Sequence, residues 1–306
     1  MRPHAWRPRK LIRVSTSISA AFLLLAIVFV VSRVNVLGQP PAPDALPFAK
    51  SYLLTGGYIV VGVDLKPDLK AGGFVNGTIP MSGVPANADI LAAFLYWETF
   101  STPVAHVNGA TFRGQPITVV KATSTPLNAA TAACAVVPGV AGSAITEFRA
   151  DVLRLLPLQR DTNGNITGKR LVNDTDLTTA GLAPHTVTLP QNGSGPGILQ
   201  NSGASLVVIY RDATKPLTSV VLYDGLFIQP PGGTTSQTIR GFLQSASTRS
   251  ARLTFVGGSG AANSYDRLNV NGSQKGTDVF QTTSVAPGRS WSNPTVDVSS
   301  QMPGYL

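Results

Sequence analysis

Short apolar runs, rich in β-branched residues and separated by Gly, Asn and Pro, recur along most of this chain. The clearest are residues 58–63, 90–97 and 205–210. Runs of this length between turn residues are typical of strands in a sandwich or barrel. Long segments with the 3.6-residue period of an amphipathic helix are absent, which argues against βαβ units and a parallel sheet. The pattern predicts an all-β fold, an antiparallel two-sheet β-sandwich of about ten strands.

Further strand candidates are shorter or less apolar. They are residues 73–81, with a turn expected at Asn76-Gly77, and residues 117–120, 186–189, 219–228, 239–244, 252–256, 268–270 and 294–298. Two stretches rich in small and polar residues, 122–146 and 191–203, are expected to form long loops at the ends of the sheets.

One short helix is predicted after residue 150. Asp151 has the side chain of an N-cap residue, whose oxygen accepts hydrogen bonds from the first free backbone N–H groups of a helix. Pro157 ends the helix because it disfavours α conformation at Leu156 and has no N–H to donate. Little more than one turn remains between these two residues.

Residues 1–38 have the pattern of a signal peptide. A basic segment, 1–13, precedes an apolar run, 18–31, which is shorter than the roughly 20 residues that a spanning helix needs. Arg33 is unusual near a cleavage site, so an uncleaved signal anchor is the alternative. A Pro/Ala-rich linker, 39–50, leads into one β-sandwich domain, 51–306. Either form of the leader predicts an extracytoplasmic location, secreted or at the cell surface.

The formal charge of +9 comes mainly from the leader. Six of the 24 basic residues precede Gln39, and none of the 15 acidic residues does. The remainder holds 18 basic and 15 acidic residues, with no clustered Lys/Arg stripe along the sequence. We therefore predict no nucleic-acid partner.

Cys134 is the single cysteine of the chain. One thiol cannot form an internal disulfide, so the domain is not a disulfide-stapled scaffold. Its Ala/Thr-rich surroundings lack the electropositive setting of a reactive thiol, and we interpret it as inert.

Three separated segments carry the strongest information about family. They are 83–97 (GVPANADILAAFLYW), 148–152 (FRADV) and 203–225, which opens GASLVVIYRD. In this order they resemble a domain of unknown function that recurs in bacterial and archaeal exported cell-surface, adhesin-like proteins. The resemblance covers about residues 58–255 and departs from the family pattern at Asn87, where Gly is common. It implies a β-sandwich on an exported protein and carries over no catalytic residue.

The third segment also predicts a hairpin. Residues 206–210 are continuously apolar, as in a strand covered on both sides, and residues 220–223 are expected to return antiparallel to them. Asp224-Gly225 then interrupts a strand-like run, which predicts a bulge or bend. The alternative interpretation makes Asp224 a ligand or an acid that the bulge positions.

Residues suited to catalysis are few and scattered. After the leader, the histidines are His106 and His185, without metal-ligand spacing, and His185 is expected at the surface or at a strand edge. The glutamates are Glu98 and Glu147, and no candidate pair of acids emerges. Glu98, beside Trp97, is expected to be a solvated carboxylate at a strand end. We predict no catalytic residue, no cofactor and no metal.

The polar segment 161–172 leaves open whether it binds calcium. Asp161, Asn163 and Asn165 have the spacing that begins a calcium loop, but Ile166 and Val172 stand where that loop needs Gly and an acid. A polar turn without metal is the simpler interpretation.

Glycosylation sequons occur at five positions, Asn76, Asn165, Asn173, Asn192 and Asn271, and the sequence leaves open whether they are used.

These features predict an exported surface or secreted module that acts by binding or as an envelope component, without catalysis. A binding module needs a rigid sandwich with loops at its ends, whereas an enzyme needs acids, bases or a metal that converge on one pocket. The expected partner is a surface ligand, protein or glycan, with membrane contact only through an uncleaved leader. The alternative is a carbohydrate-active module, lectin-like or a weak hydrolase, with Trp97, Trp291 or Tyr223 as platform aromatics.

Overall fold

Antiparallel strands dominate the structure, as the sequence pattern predicts. The computed structural model describes residues 46–65, 73–101, 107–126, 144–191, 200–229, 233–245, 250–260, 266–280 and 290–302. All of them belong to one unit of the chain, Pro43–Leu306. The predicted leader, most of the linker, His106 and Cys134 lie outside the described residues.

The elements within the described residues are eighteen strands and three short helices. The strands are β1 Phe48–Asp64, β2 Gly73–Ile79, β3 Asp89–Ser101, β4 Thr111–Phe112, β5 Gln115–Pro116, β6 Val119–Pro126, β7 Ala144–Asp151, β8 Leu158–Arg160, β9 Ile166–Arg170, β10 His185–Gln191, β11 Gln200–Arg211, β12 Leu217–Tyr223, β13 Arg252–Thr254, β14 Gly257–Gly260, β15 Arg267–Val270, β16 Ser273–Thr277, β17 Ser290–Ser292 and β18 Thr295–Asp297. An α-helix covers Asp174–Thr179, and 3₁₀ turns cover Leu153–Leu155 and Ser299–Gln301. No helix in this part of the chain is long and apolar enough to cross a membrane.

A six-stranded antiparallel sheet is the centre of the fold. Its order is β12-β1-β11-β3-β7-β6, so the two most apolar strands, β11 and β3, lie in the middle. Their register pairs Leu206 with Leu95 and Val207 with Phe94. Successive residues of a strand point to opposite faces, and both Leu206 and Val207 are buried. The sheet is therefore covered on both faces.

One face of this sheet packs against a four-stranded sheet, β2-β10-β4-β5, and this confirms the β-sandwich. The core between the sheets is apolar, and Trp97 stacks on Phe148 with ring centroids 5.2 Å apart. Its fully buried members include Ile79, Leu95, Phe112, Val187, Leu189, Leu206 and Val208.

The other face, which carries Phe94, Tyr96 and Glu98, is named the outer face here. Side chains of β1 and β12 pack against Phe94 and Tyr96 on this face, and residues that follow β12 cover other parts of it. Leu226 and Ile228 pack against buried side chains of β3 and β7. Trp291 lies so close to β11 that a Cβ on Gly203 would be 2.3 Å from the Trp291 Cβ. Glycine is needed at this position because only a residue without a side chain leaves room for the indole.

Two expectations about turns are wrong. Asn76-Gly77 does not form a turn, since both residues lie inside β2 and pair with β10. Gly77 is required there by close approach, because a Cβ on it would lie 2.5 Å from the Leu65 side chain. The expected hairpin between residues 206–210 and 220–223 is absent as well, because β1 lies between β11 and β12 and pairs with both.

The helix predicted after residue 150 lies at the expected position, but it is a 3₁₀ turn and Asp151 is not its N-cap residue. Asp151 is the last residue of β7, and its Oδ1 accepts a hydrogen bond from the Leu153 N–H at 3.0 Å. Only a 3₁₀ turn follows before Pro157. The α-helix at Asp174–Thr179 was not expected. Its first turn holds Asp174 and Asp176, which suit the positive end of a helix dipole.

Several expected boundaries also move. Both ends of the predicted loop 122–146 are strands, β6 and β7, and the last residues of the predicted loop 191–203 belong to β11. The predicted strand 219–228 ends at Tyr223, because Gly225 has a φ of +147° and the chain turns away. Residues 239–244 form no strand. The central parts of both loops lie outside the described residues.

Trp97 provides a test of the apolar core. Trp97→Ala should lower the free energy of unfolding by about 3–5 kcal/mol, because it leaves a cavity beside Phe148. Val120→Ala is the control, since Val120 lies on the edge strand β6 with 52 % of its side chain exposed, and it should change stability by less than about 0.5 kcal/mol. Denaturant unfolding measures both. A loss below about 1 kcal/mol for Trp97→Ala would show that this core is not packed as described.

Candidate functional site

A groove with a basic rim lies beside the β8–β9 hairpin. We name it the basic groove after four of its lining residues, Arg154, Arg160, Lys169 and Arg170. The lining also includes Asp176 and a set of aliphatic side chains, Leu155, Leu156, Leu158, Ile166, Leu171 and Leu182. In the described part of the chain, none of the four basic side chains forms an ion pair. Their charges are therefore available to a ligand.

Local structure explains how these residues meet. β8 and β9 pair antiparallel, with Leu158 opposite Arg170 and Arg160 opposite Ile166. Arg170 is held in place because its Nη1 donates a hydrogen bond to the Leu156 carbonyl at 2.9 Å. Arg154 comes from the 3₁₀ turn that precedes the hairpin. The sequence shows no clustered Lys/Arg stripe because these four residues, spread over 154–170, become neighbours only when the hairpin forms.

The turn of this hairpin is closed by Asp161. Its Oδ1 accepts hydrogen bonds from the N–H groups of Asn163 and Asn165, at 2.9 and 2.8 Å. The Asn165 N–H is the main cause of a lowered pKa for the Asp161 carboxyl. This is how a polar turn uses an aspartate. Within the described residues, no group of three or more His, Cys, Asp or Glu is arranged to hold a metal ion.

A second polar site lies buried on the outer face. We name it the Asp224 cluster, and it consists of Tyr96 on β3, Lys121 on β6, Glu147 and Arg149 on β7, and Asp224 just after β12. Arg149 pairs with Tyr96 on one side and with Lys121 on the other, so three strands present these side chains in one row. Asp224 is 4 % exposed, and its carboxylate contacts Tyr96, Lys121 and Arg149 in this row.

The Asp224 carboxylate is surrounded by donors. Lys121 Nζ contacts Oδ1 and also donates to the Asp224 backbone carbonyl at 2.7 Å. Arg149 Nη1 and Tyr96 Oη both donate to Oδ2, the tyrosine at 3.2 Å. A buried carboxylate must be paired and hydrogen-bonded, because desolvation would otherwise cost more than the fold can supply. Asp224 therefore fixes the chain after β12 to three strands of the sheet.

The two glutamates of the chain lie directly opposite each other. Glu98 on β3 pairs with Glu147 on β7, which places both side chains on the outer face. The sequence gives no candidate pair of acids because only the β3–β7 register brings together residues so distant in sequence. Glu98 is also not at a strand end: it lies inside β3, partly buried, where Ser202 Oγ donates to its Oε1 at 3.2 Å. A Cβ on Gly258 would lie 2.7 Å from that oxygen.

The surroundings of these glutamates disfavour their charged forms. Burial raises the pKa of Glu98 to about 7, against the opposing effect of the Ser202 hydroxyl. Burial, followed by the negative charge of Asp224, raises the pKa of Glu147 to about 7. Both groups therefore change protonation state near neutral pH.

The remaining candidate residues are structural. His185 was expected at the surface or at a strand edge; it is the first residue of β10 but fully buried, and its ring stacks on Phe112. Its Nε2 lies 2.6 Å from the Val172 carbonyl, so Nε2 carries a proton that it donates, and burial lowers the pKa of the ring. Trp97 and Trp291 are buried and present no platform, while Tyr223 is partly buried, with its hydroxyl bonded to the Arg240 backbone.

No protein-family model, curated protein or solved structure matches this chain. The resemblance to the exported adhesin-like domain stays a prediction.

Glu98→Gln should change how stability depends on pH. The pKa of Glu98 is about 7 in the fold and 4.5 in its ordinary state, so its stabilising contribution is complete below pH 4.5 and is lost as the pH rises through 7. A glutamine side chain does not ionise, so the Glu98→Gln variant does not lose this stability as the pH rises. Relative to the parent, the variant should therefore gain on the order of 2 kcal/mol between pH 4.5 and 8. Denaturant unfolding at a series of pH values measures this gain, and a difference that stays constant with pH would contradict it.

Proposed function

We propose that this chain is an exported, non-enzymatic β-sandwich module of the cell surface that binds an acidic segment of a partner protein in the basic groove. The single observation that carries the proposal is the basic groove itself, with four cationic side chains and one carboxylate around an aliphatic floor. The leader predicted from the sequence supports export, and the sandwich supports a rigid scaffold for the groove.

The charge of the groove favours an anionic ligand. Arg154 and Arg160 are exposed, and Lys169 and Arg170 are partly exposed, so their remaining donors face solvent. Guanidinium groups bind carboxylates with charge-assisted hydrogen bonds, which are about twice as strong as neutral ones. The acid in the lining, Asp176, is already bonded to the Asn173 amide at 3.1 Å.

The floor of the groove favours a polypeptide among anionic ligands. Leu155, Leu158, Ile166 and Leu182 line it, and Ile166 is 56 % exposed. Such a surface accepts aliphatic side chains, while no lining residue offers an aromatic ring for a sugar to stack on. In the described part of the chain β8 and β9 pair only with each other, and an extended segment can add to a free strand edge.

One observation favours the carbohydrate-active alternative. Two carboxylates on adjacent strands, Glu98 and Glu147, lie opposite each other, and a glycoside hydrolase uses a pair of acids. Gly258 lies against Glu98, however, and the two tryptophans that could serve as platforms are buried. Hydrolysis of a glycan by the purified protein, abolished by Glu98→Gln without loss of stability, would establish this alternative and overturn the proposal.

A pair of charge reversals tests the groove. The probe is a synthetic peptide of alternating Glu and Leu, compared with its Gln/Leu counterpart. Arg154→Glu with Lys169→Glu should weaken binding of the acidic peptide at least tenfold, because each charge-assisted bond contributes about 1.5–3 kcal/mol and about 1.4 kcal/mol is tenfold. Added salt should weaken binding in the parent protein.

The control is Lys50→Glu with Arg267→Glu. These exposed residues lie on β1 and β15, outside the groove lining, and their reversal changes net charge by the same amount. The control should bind like the parent. An equal loss of peptide affinity in both double variants would show that only net charge matters. Binding of an anionic polysaccharide or a single-stranded oligonucleotide that is tighter than binding of the acidic peptide would assign the groove to another class of ligand. Either result overturns the proposal.

A further inference from the structure

The Asp224 cluster holds three groups whose chemistry goes beyond an ion pair. An amine in contact with a carboxyl group can condense with it to an amide and water when both are neutral and a neighbouring acid moves the proton. Lys121 and Asp224 are in contact, and Glu147 lies beside them on β7. We propose that Lys121 and Asp224 form an intramolecular amide cross-link, with Glu147 as the proton carrier.

The two oxygens of Asp224 have different surroundings. Lys121 Nζ contacts Oδ1, whereas Arg149 Nη1 and Tyr96 Oη both donate to Oδ2. Two donors on one oxygen are the arrangement that stabilises the oxyanion of a tetrahedral intermediate. Oδ2 therefore becomes the amide oxygen, and Oδ1 is the oxygen that leaves as water. The second bond of Lys121, to the Asp224 carbonyl, holds its nitrogen beside the carboxyl carbon.

Glu147 is placed to move the protons. It lies two residues before Arg149 on the same strand and face, and its partner on β6, Thr123, lies two residues beyond Lys121. It is 9 % exposed, and its Oε2 has no hydrogen-bond partner within the described residues. The charges of Asp224 and Lys121 both act on its pKa, which places it near them, and its pKa of about 7 lets it hold or release a proton in neutral solution.

The step balances without an oxidant or other reactant. A proton passes from the Lys121 ammonium to the Asp224 carboxylate by way of Glu147, which leaves a neutral amine and a carboxylic acid. Nζ attacks Cγ, and the new C–N bond forms as a tetrahedral centre with its negative charge on Oδ2. Glu147 takes a proton from nitrogen and gives one to Oδ1, the Cγ–Oδ1 bond breaks, and one water leaves.

The position of the bond suggests its purpose. Lys121 lies on β6, one outer strand of the six-stranded sheet, and Asp224 directly follows β12, the other outer strand. A bond between them closes residues 121–224 into a loop that holds β7, β11 and β12 of the six-stranded sheet and β10 of the four-stranded sheet. The chain has one cysteine and no internal disulfide, so an amide would be its covalent means of resisting unfolding outside the cell.

Peptide mapping tests the bond directly. The purified mature protein is denatured and cut with trypsin, which cleaves after Arg113, Arg149, Arg211 and Arg240 but not after an acylated Lys121, and cuts poorly at Lys215-Pro216. The expected product is peptide 114–149 joined to peptide 212–240, lighter than their sum by one water. Separate peptides from folded protein, after prolonged incubation between pH 5 and 8, would mean an ion pair only and would overturn the proposal.

Variants test the role of each group. Lys121→Arg keeps a cation beside Asp224 but cannot form this amide, so its map should show only separate peptides. Glu147→Gln should form the cross-link about a hundredfold more slowly or not at all. Glu98→Gln is the matched control, because it changes the opposite glutamate of the same face and should cross-link like the parent. A Glu147→Gln protein that cross-links at the parental rate would remove Glu147 from the mechanism.

Discussion

The burial of both faces of β3 and β11 is the constraint on which the rest of the structure depends. Residues 90–97 and 205–210 are apolar at nearly every position, so neither face of the strands they form can be left to water. The four-stranded sheet covers one face with an ordinary apolar core. The other face packs against side chains of β1 and β12 and is covered further by residues that follow β12, which are therefore part of the fold.

Polar contacts hold this second layer in place. Asp224 is fixed by donors from three strands, and Trp291 is fixed by its N–H groups, which donate to Asp64 and to Ser205, each at 2.6 Å. Directional bonds of this kind specify one position for the covering segment, whereas apolar contacts alone would allow several. Acidic groups are buried in the same layer at an energetic cost, since burial raises the pKa values of Glu98 and Glu147. The same crowding of acid, amine and carboxyl groups creates the conditions for a covalent bond.

Sequence patterns predicted the fold class because strand length, β-branched content and turn residues are local properties. They failed where local signals are ambiguous. Asp151 and Pro157 resemble the ends of a helix, yet they serve equally well to end β7 and to follow a single 3₁₀ turn. They also failed where a site depends on register: the Glu98–Glu147 pair and the basic groove exist only after strands have paired. Asn76-Gly77 is a further example: it has the sequence of a turn but lies inside β2, because both residues pair with β10.

Hydroxyl-radical footprinting of the intact protein tests whether the outer face is buried, because it measures the solvent exposure of individual side chains. Phe94 and Tyr96 on the outer face are 9 % and 7 % exposed, Trp97 on the opposite face is 1 % exposed, and Phe48 is 53 % exposed. Phe94 and Tyr96 should be protected from oxidation as strongly as Trp97, while Phe48 should be oxidised readily. Oxidation of Phe94 at the rate of Phe48 would show instead that the outer face is open to water.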